Sequence, residues 1–339
     1  MLQKKNLWWL VAVAAFAAFP LLITNPTYTS IGFFTLIYMA CASSWNMFSG
    51  YSGYIALGSA VFYGTGAYAM SLISIHANMA PGAAMFWLVP VGGVVAMLIA
   101  LPFGWIALRV RRHTFVVITI AVFFIFQLGA SNFSFTGGTS GLALPFITWD
   151  ASYYFVPFYF VALGIVIFIA ILSAAVRRSR FGLQLLAIRD DEDRALGLGV
   201  KVTSVKIVGF TLSAFTVGMC GALYAMEQGQ IYPQFVFTPV FDVSIALMTF
   251  LGGLGTLTGP LLGALILESS QQWLTISFSN GSLYLILFGA LFLIVILFMP
   301  QGIVVYVRDR VNRKADLARV ASAATSPGSD AVLSGSTPS

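Results

Sequence analysis

Between Lys5 and Arg109 the chain carries no lysine, arginine, aspartate or glutamate. A water-soluble domain cannot leave so long a stretch uncharged, because its elements must each show a face to solvent. A helical bundle solvated by lipid can. A hydrocarbon layer about 30 Å thick takes roughly 20 apolar helical residues per crossing, which leaves room here for about eight to ten crossings. The whole chain agrees, with 59% hydrophobic and 8% charged residues. A transmembrane barrel would alternate polar and apolar residues, and runs such as residues 88–108 do not. The expected fold class is therefore all-α, a polytopic transmembrane helical bundle.

Basic residues gather at Lys4-Lys5, between Arg109 and Arg112, between Arg177 and Lys206, and from Arg308 onward. Such clusters mark the cytoplasmic side. They are short and separated by membrane spans, which excludes nucleic acid as a partner. Apolar helices are expected at residues 8–24, 31–48, 54–74, 85–108, 114–130 and 154–176, which returns the chain to the cytoplasm at Arg177. The first of these, behind Lys4-Lys5, imitates a secretory leader, but a first span with positive-inside flanks explains the same residues. Further apolar stretches follow at 207–226, 240–267 and 283–299. A single crossing by 240–267 would put the basic C-terminal segment outside. Two half-helices that enter and leave on one face restore the parity, with the break at Gly252-Gly253-Leu254-Gly255-Thr256-Leu257-Thr258-Gly259-Pro260. Irregular backbone at that depth is tolerated where protein or a wet cavity covers it. Residues 1–315 thus form a membrane domain, and 316–339, rich in Ala, Ser, Gly and Pro, are expected to be a disordered cytoplasmic tail.

Residues 177–206 hold more than a third of all the charged side chains, in an island flanked by apolar spans. A helix from Gly182 to Gly197 would expose Leu185, Leu186 and Ile188 close together, followed by Arg189, Asp190, Asp191, Glu192, Asp193 and Arg194. Apolar anchors with a charged rim suit a reversible protein interface. Gly197 and Gly199 would end that helix.

Small residues mark two further segments. From Asn46 to Tyr68 they let helix backbones approach closely, which places this segment in the middle of the bundle. Asn46, Gly50, Tyr51, Ser52, Gly53 and Gly58 would lie at an interrupted helix beside a pathway. Thr136-Gly137-Gly138-Thr139-Ser140-Gly141 falls on the outer face, as a loop or a docking surface; it lacks the lysine of a nucleotide-binding loop. Cys41 and Cys220 sit in apolar runs as small buried hydrophobes. His76 and His113 border apolar runs and read as interfacial.

Taken in order, these pieces resemble a permease subunit of the branched-chain amino acid ABC importers, the M-type of two paired permeases. The series runs through Asn46-Met47-Phe48-Ser49-Gly50-Tyr51-Ser52-Gly53, Leu57-Gly58 to Gly66-Ala67-Tyr68, and Leu108-Arg109-Val110-Arg111. It continues with the Thr136 to Gly141 loop, Ser179-Arg180-Phe181-Gly182 with Ala187 to Glu192, the Leu251 to Pro260 run and Pro300-Gln301-Gly302. The chain departs from the family at Leu183-Gln184, where relatives often carry Arg-Ala, and at Gly58-Ser59-Ala60 in place of Gly-His-Ala. The resemblance implies a multi-pass protein of the bacterial inner membrane that forms half of a path for branched-chain or related hydrophobic amino acids. It implies a paired permease, two cytoplasmic ATPase subunits and an extracellular or periplasmic binding protein as partners, besides membrane lipid. The island loop would dock on an ATPase. No Walker motif occurs, so this chain is expected to bind no cofactor and to be no enzyme, with ATP and Mg held by the ATPases.

Related permeases also serve urea, amides and aromatic acids, and nothing in the spans chooses among these substrates. A self-powered secondary transporter would use intramembrane ionisable groups. Glu227, Asp242 and Glu268 are the candidates, and each is expected near a span end, solvated at the interface. Asp191 and Glu192 are likewise expected to be solvated. Gly53 and Gly253 are expected at close helix contacts.

Overall fold

A computed structural model describes residues 2–22, 25–145, 147, 149–150, 153–277 and 302–306, with single positions at 286, 289, 290, 293 and 310. Six of its helical segments are long and apolar enough to cross a membrane: Pro26–Gly50, Ala83–Ala107, Arg112–Asn132, Phe155–Arg178, Val202–Gln228 and Pro233–Gly252. The chain is a polytopic all-α membrane bundle. The expected crossing at 283–299 and the tail at 316–339 lie outside the described residues, apart from the isolated positions above.

The bundle begins with α1 (Leu2–Leu22) and α2 (Pro26–Trp45), whose start is set by Asn25, an N-cap accepting from the Thr27 amide, and by proline at the first position. A π-turn, Asn46–Gly50, ends α2. Then come α3 (Ser59–His76), α4 (Leu88–Ala107), α5 (Arg112–Asn132) and α6 (Phe155–Arg178). Two short helices follow, α7 (Arg180–Asp190) and α8 (Glu192–Gly197), before α9 (Val202–Gln228), α10 (Pro233–Val236), α11 (Pro239–Gly252) and α12 (Gly259–Ser277).

Helix α9 is the hub and packs most extensively against α3 and α4. The contact is backbone to backbone. A Cβ added to Gly66 would lie 2.0 Å from the Gly218 carbonyl oxygen, and one on Gly221 would lie 1.9 Å from that of Tyr63. Small residues let helices meet this closely in lipid, where dispersion and close packing replace the hydrophobic drive. The expected central position of α3 follows. Helix α2 joins this group to α6 and α12. At one end of the bundle, β1 (Leu142–Ala143) pairs antiparallel with β2 (Gln230–Ile231), tying the loop after α5 to the end of α9.

Helices α11 and α12 form an antiparallel pair. A Cβ on Gly252 would sit 1.8 Å from the Gly259 carbonyl oxygen, and one on Gly263 would sit 1.9 Å from that of Met248. Contacts that step outward on both arms are those of a hairpin. The chain thus reverses where the glycine run predicts, but the second arm does not stop at Leu267. Helix α12 has 19 residues, about 28 Å at 1.5 Å per residue, close to the full hydrocarbon thickness. The pair thus has one short helix and one nearly membrane-long.

Candidate docking loop and helix breaks

The chain between α2 and α3 leaves helical geometry from Gly53, where φ is +73°, until Ser59. Backbone groups freed inside a membrane protein each need a partner, and here side chains supply them. Trp45 Nε1 donates to the Ala56 carbonyl at 2.7 Å, and Ser49 Oγ accepts from the Ala56 amide at 3.3 Å. Ser52 Oγ accepts from the Tyr54 amide, and Thr119 Oγ1 from the Leu57 amide. Gly58 offers no side-chain cap to α3. Asp242 of α11 caps it instead, accepting from the Ala60 amide at 3.1 Å.

The second break, residues 253–258, is closed by Thr256. Its hydroxyl donates to the Gly253 carbonyl at 2.7 Å and accepts from the Gly259 amide at 3.0 Å, capping α12. Gly255 holds φ at +76°, a conformation that side chains with a Cβ rarely adopt.

One amide joins the two breaks. Asn46 Nδ2 donates to the Thr256 carbonyl at 2.8 Å, and Asn46 Oδ1 accepts from the Gly255 amide at 2.7 Å. All three residues are buried. The structure therefore brings Asn46 and Gly50 of the first break against Gly255 and Thr256 of the second, while Tyr51 bonds Ser173, Ser52 bonds the Phe48 carbonyl, and Gly58 sits at the far end of the first break. Thr136, Gly137 and Gly138 lie elsewhere, in two 3-10 turns at the opposite end of α5. Gly53 and Gly253 are held by backbone conformation, with φ at +73° and +120°, and also stand at close contacts, a Cβ on Gly53 lying 3.2 Å from Arg189 Cγ and one on Gly253 3.3 Å from Val305 Cγ2.

The island folds as two helices, not one. Ser179 caps α7, accepting from the Gly182 amide, and Asp191 caps α8, accepting from the Arg194 amide at 3.1 Å. Helix α8 ends at Gly197, with Gly199 at φ +82°. The apolar anchors also differ. Leu185 and Ile188 are buried in this chain's own core and Leu186 is half-buried, whereas Leu183, Leu196 and Leu198 are exposed. The residues Leu185, Leu186 and Ile188 expected to share an exposed face therefore hold α7 down on the bundle. Asp190, Asp193 and Arg194 face solvent.

Arg189 reaches back from α7 and donates to the Gly50 carbonyl at 2.8 Å. Arg112, at the start of α5, donates to the Ile188 and Arg189 carbonyls, both at 2.7 Å. A cation on the last carbonyls of a helix also matches its dipole. The island loop is thus bonded to the first break, and through Asn46 to the second.

Glu192 is not solvated as expected. Its carboxylate accepts from the Tyr54 hydroxyl and from Lys206 Nζ, the latter at 2.9 Å, and the Lys206 side chain is only 3% exposed. Partial burial raises the Glu192 carboxyl, but the bonds from Tyr54 and Lys206 and the charges of Lys206 and Arg112 outweigh it and hold the carboxyl below its ordinary value. Sequence marks Lys206 only as the end of the charged island and gives Tyr54 no role. The one available signal was a lysine inside the first turns of an apolar helix.

Glu227 and Asp242 do lie at the ends of their helices, as expected, but all three of Glu227, Asp242 and Glu268 are buried rather than solvated. Asp242 and Glu268 are 2% and 1% exposed.

Set beside known proteins, residues 27–296 match the family described as branched-chain amino acid transport system / permease component. The high-affinity branched-chain amino acid transport system permease protein LivM of Salmonella typhimurium is 26% identical over 93% of this chain and 79% of its own length. LivH of the same organism, with the same description, is 28% identical over 78% of this chain and 90% of its own length. The ribose import permease protein RbsC of Bacillus subtilis is 26% identical over 40% of this chain. No solved structure matches.

Proposed function

The chain belongs to the family of branched-chain amino acid transport system permease components, and on that premise we propose that it forms half of an ATP-driven import path for branched-chain or related hydrophobic amino acids. A second permease of the same family forms the other half. Two cytoplasmic ATPase subunits hold the ATP and Mg, and a binding protein delivers substrate at the outer face.

The observation that carries the reading is the run of bonds from Arg189 to Gly50 and from Asn46 to Gly255 and Thr256. A load applied to α7 and α8 by closing ATPases reaches both helix breaks through these bonds. The breaks are where backbone can rearrange without unwinding a whole helix, so alternating access follows from motion of the loop. Leu183, Leu196 and Leu198, with Asp190, Asp193 and Arg194 around them, give that loop its apolar anchors and charged rim.

Reconstitution of this chain with its paired permease, in liposomes, with and without the ATPases, tests the reading. Leucine uptake that needs both ATP and the ATPases is expected. The buried carboxylates of Asp242 and Glu268 favour one other reading, transport coupled to an ion. Uptake in the absence of ATPases would establish that reading and sink the first.

A further inference from the structure

Four residues of α12, Glu268, Gln271, Gln272 and Thr275, recur at intervals of three, four and seven, the spacing of a single helix face. All four are polar in a helix of membrane length. The opposite side carries Leu262, Ile266 and Trp273, all exposed. Access along the polar face is graded: Thr275 is exposed, Gln271 and Gln272 are half-buried, and Glu268 is buried. Glu268 lies nine residues into α12, about 14 Å from its start and near the middle of that helix.

At the end of this polar face sits an incomplete set of bonds. Glu268 Oε1 accepts from Gln272 Nε2 at 2.8 Å, but Glu268 Oε2 and Gln271 Oε1 are buried without a hydrogen-bond partner among the described residues. Neither of the two ion pairs among the described residues includes Glu268. A buried carboxylate with a free oxygen is costly unless something arrives to satisfy it. With Glu268 ionised, the two free atoms are both acceptors, and one carries the charge of the acid. The complementary ligand group is a small cation rich in N–H donors.

We propose that this face of α12 is the outer half of the chain's share of the substrate path, and that Glu268 and Gln271 take the ammonium group of the passing amino acid. Its three N–H donors match the two free acceptors and leave one for a group of the paired permease or for water. The apolar side chain of the substrate then needs no dedicated pocket in this chain. The inference rests on an amino acid being the substrate.

The test uses the whole transporter in liposomes, with radiolabelled leucine on its binding protein. E268Q keeps the shape of the side chain and removes its charge. It is expected to lower leucine uptake by at least about tenfold, the scale of a lost charge-assisted hydrogen bond, and to lower the leucine moved per ATP hydrolysed. Q271A is expected to lower uptake less, in the same sense. E268D is expected to restore part of the E268Q loss. Wild-type uptake with E268Q equal to it would overturn the inference and leave the amino acid reading standing. Wild-type vesicles that take up no leucine would sink both. If E268Q and Q271A both fail to assemble with the other subunits, the face serves packing and the inference is overturned.

Discussion

The guanidinium of Arg189 lies 2.8 Å from the carbonyl oxygen of Gly50, so that a residue of the charged loop holds a helix break inside the bundle. A Cβ on Gly255 would lie 2.3 Å from the same guanidinium, which puts Arg189 against both breaks at once. R189A removes this strut and leaves the Gly50 carbonyl without its donor. A hydrogen bond to a charged group is worth about 1.5–3 kcal/mol, enough to change how far a push on α7 is transmitted. The expected result in the reconstituted transporter is near-normal basal ATP hydrolysis with uptake reduced about tenfold or more. Equal losses in both would show that Arg189 serves assembly alone.

Asn46 is expected to matter for stability as well as coupling. N46L fills similar space but leaves the Gly255 amide and the Thr256 carbonyl unpaired in a buried site. Each orphaned group costs about 1–3 kcal/mol, so the detergent-solubilised protein should melt at a visibly lower temperature. N46D keeps the acceptor for Gly255 but faces the Thr256 carbonyl with a second oxygen. It should therefore fall between wild type and N46L, and a variant melting at the wild-type temperature would argue against the bridge.

Asp191 and Glu192 are neighbours with different fates on charge reversal. Asp191 caps α8 and pairs with Arg194 at the surface, where such pairs contribute about 0–1 kcal/mol. Glu192 faces Lys206, Arg112 and Tyr54. D191K should fold and assemble. E192K should not, because it sets a third cation against a buried one. Comparable yields of the two variants after purification would contradict the buried pairing.

The Glu192 carboxyl is held below its ordinary value of 4.5 in the folded protein. A depressed value means that the unfolded chain binds the proton more readily, so stability rises with pH across this window. The contribution is complete above the ordinary value and is lost as pH falls through the depressed one. Melting of the wild type followed downward from neutral pH should show an acid limb that is shallower in E192Q. Identical limbs would remove Glu192 as its source.

Much of this was legible because it depends on spacing and composition alone. The uncharged run before Arg109 dictates the membrane class, and the glycines from Gly252 to Gly259 mark the reversal between α11 and α12. What the sequence conceals is the tertiary partner. Leu183, Leu185, Leu186 and Ile188 are equally apolar, and only the docking of α7 on the bundle decides that Leu185 and Ile188 turn inward. Lys206 and Glu192 pair across the join of α8 and α9, a geometry that no helix spacing encodes. Asp242 looks like a residue at the edge of a span because its helix starts there. The extended residues 53–58 bring the start of α3 to the same level, and that displacement makes Asp242 a buried cap.

Close helix contacts and open helix faces should separate cleanly under substitution. Gly221 of α9 leaves no room for a methyl group beside the Tyr63 carbonyl, whereas a Cβ on Gly164 of α6 would meet nothing within 4 Å among the described residues. G221A forces backbone apart at the hub of the bundle and should abolish assembly with the paired permease. G164A should be neutral or stabilising by about 0.4–1 kcal/mol, through reduced freedom of the unfolded chain. Normal expression and assembly of G221A would show that α3 and α9 can separate without cost, contrary to the packing described.

The exposed leucines of the loop give the most direct test of docking. Leu198 is 84% exposed and Leu183 and Leu196 are each 61% exposed, on a loop whose inward leucine and isoleucine already anchor it. Replacing Leu196 and Leu198 by serine therefore removes apolar surface without disturbing the core. If they fill pockets on an ATPase, truncating well-packed interface anchors costs about 1–2 kcal/mol or more each, and the ATPases should be lost from the purified complex while the paired permease stays bound. Leu185→Ser, which strikes the buried side of the same helix, should instead destabilise the permease itself. Retention of the ATPases by the Leu196 and Leu198 variant, together with their loss from Leu183→Ser alone, would move the contact to the first turn of α7, where the chain carries Leu183-Gln184 in place of the family's usual pair.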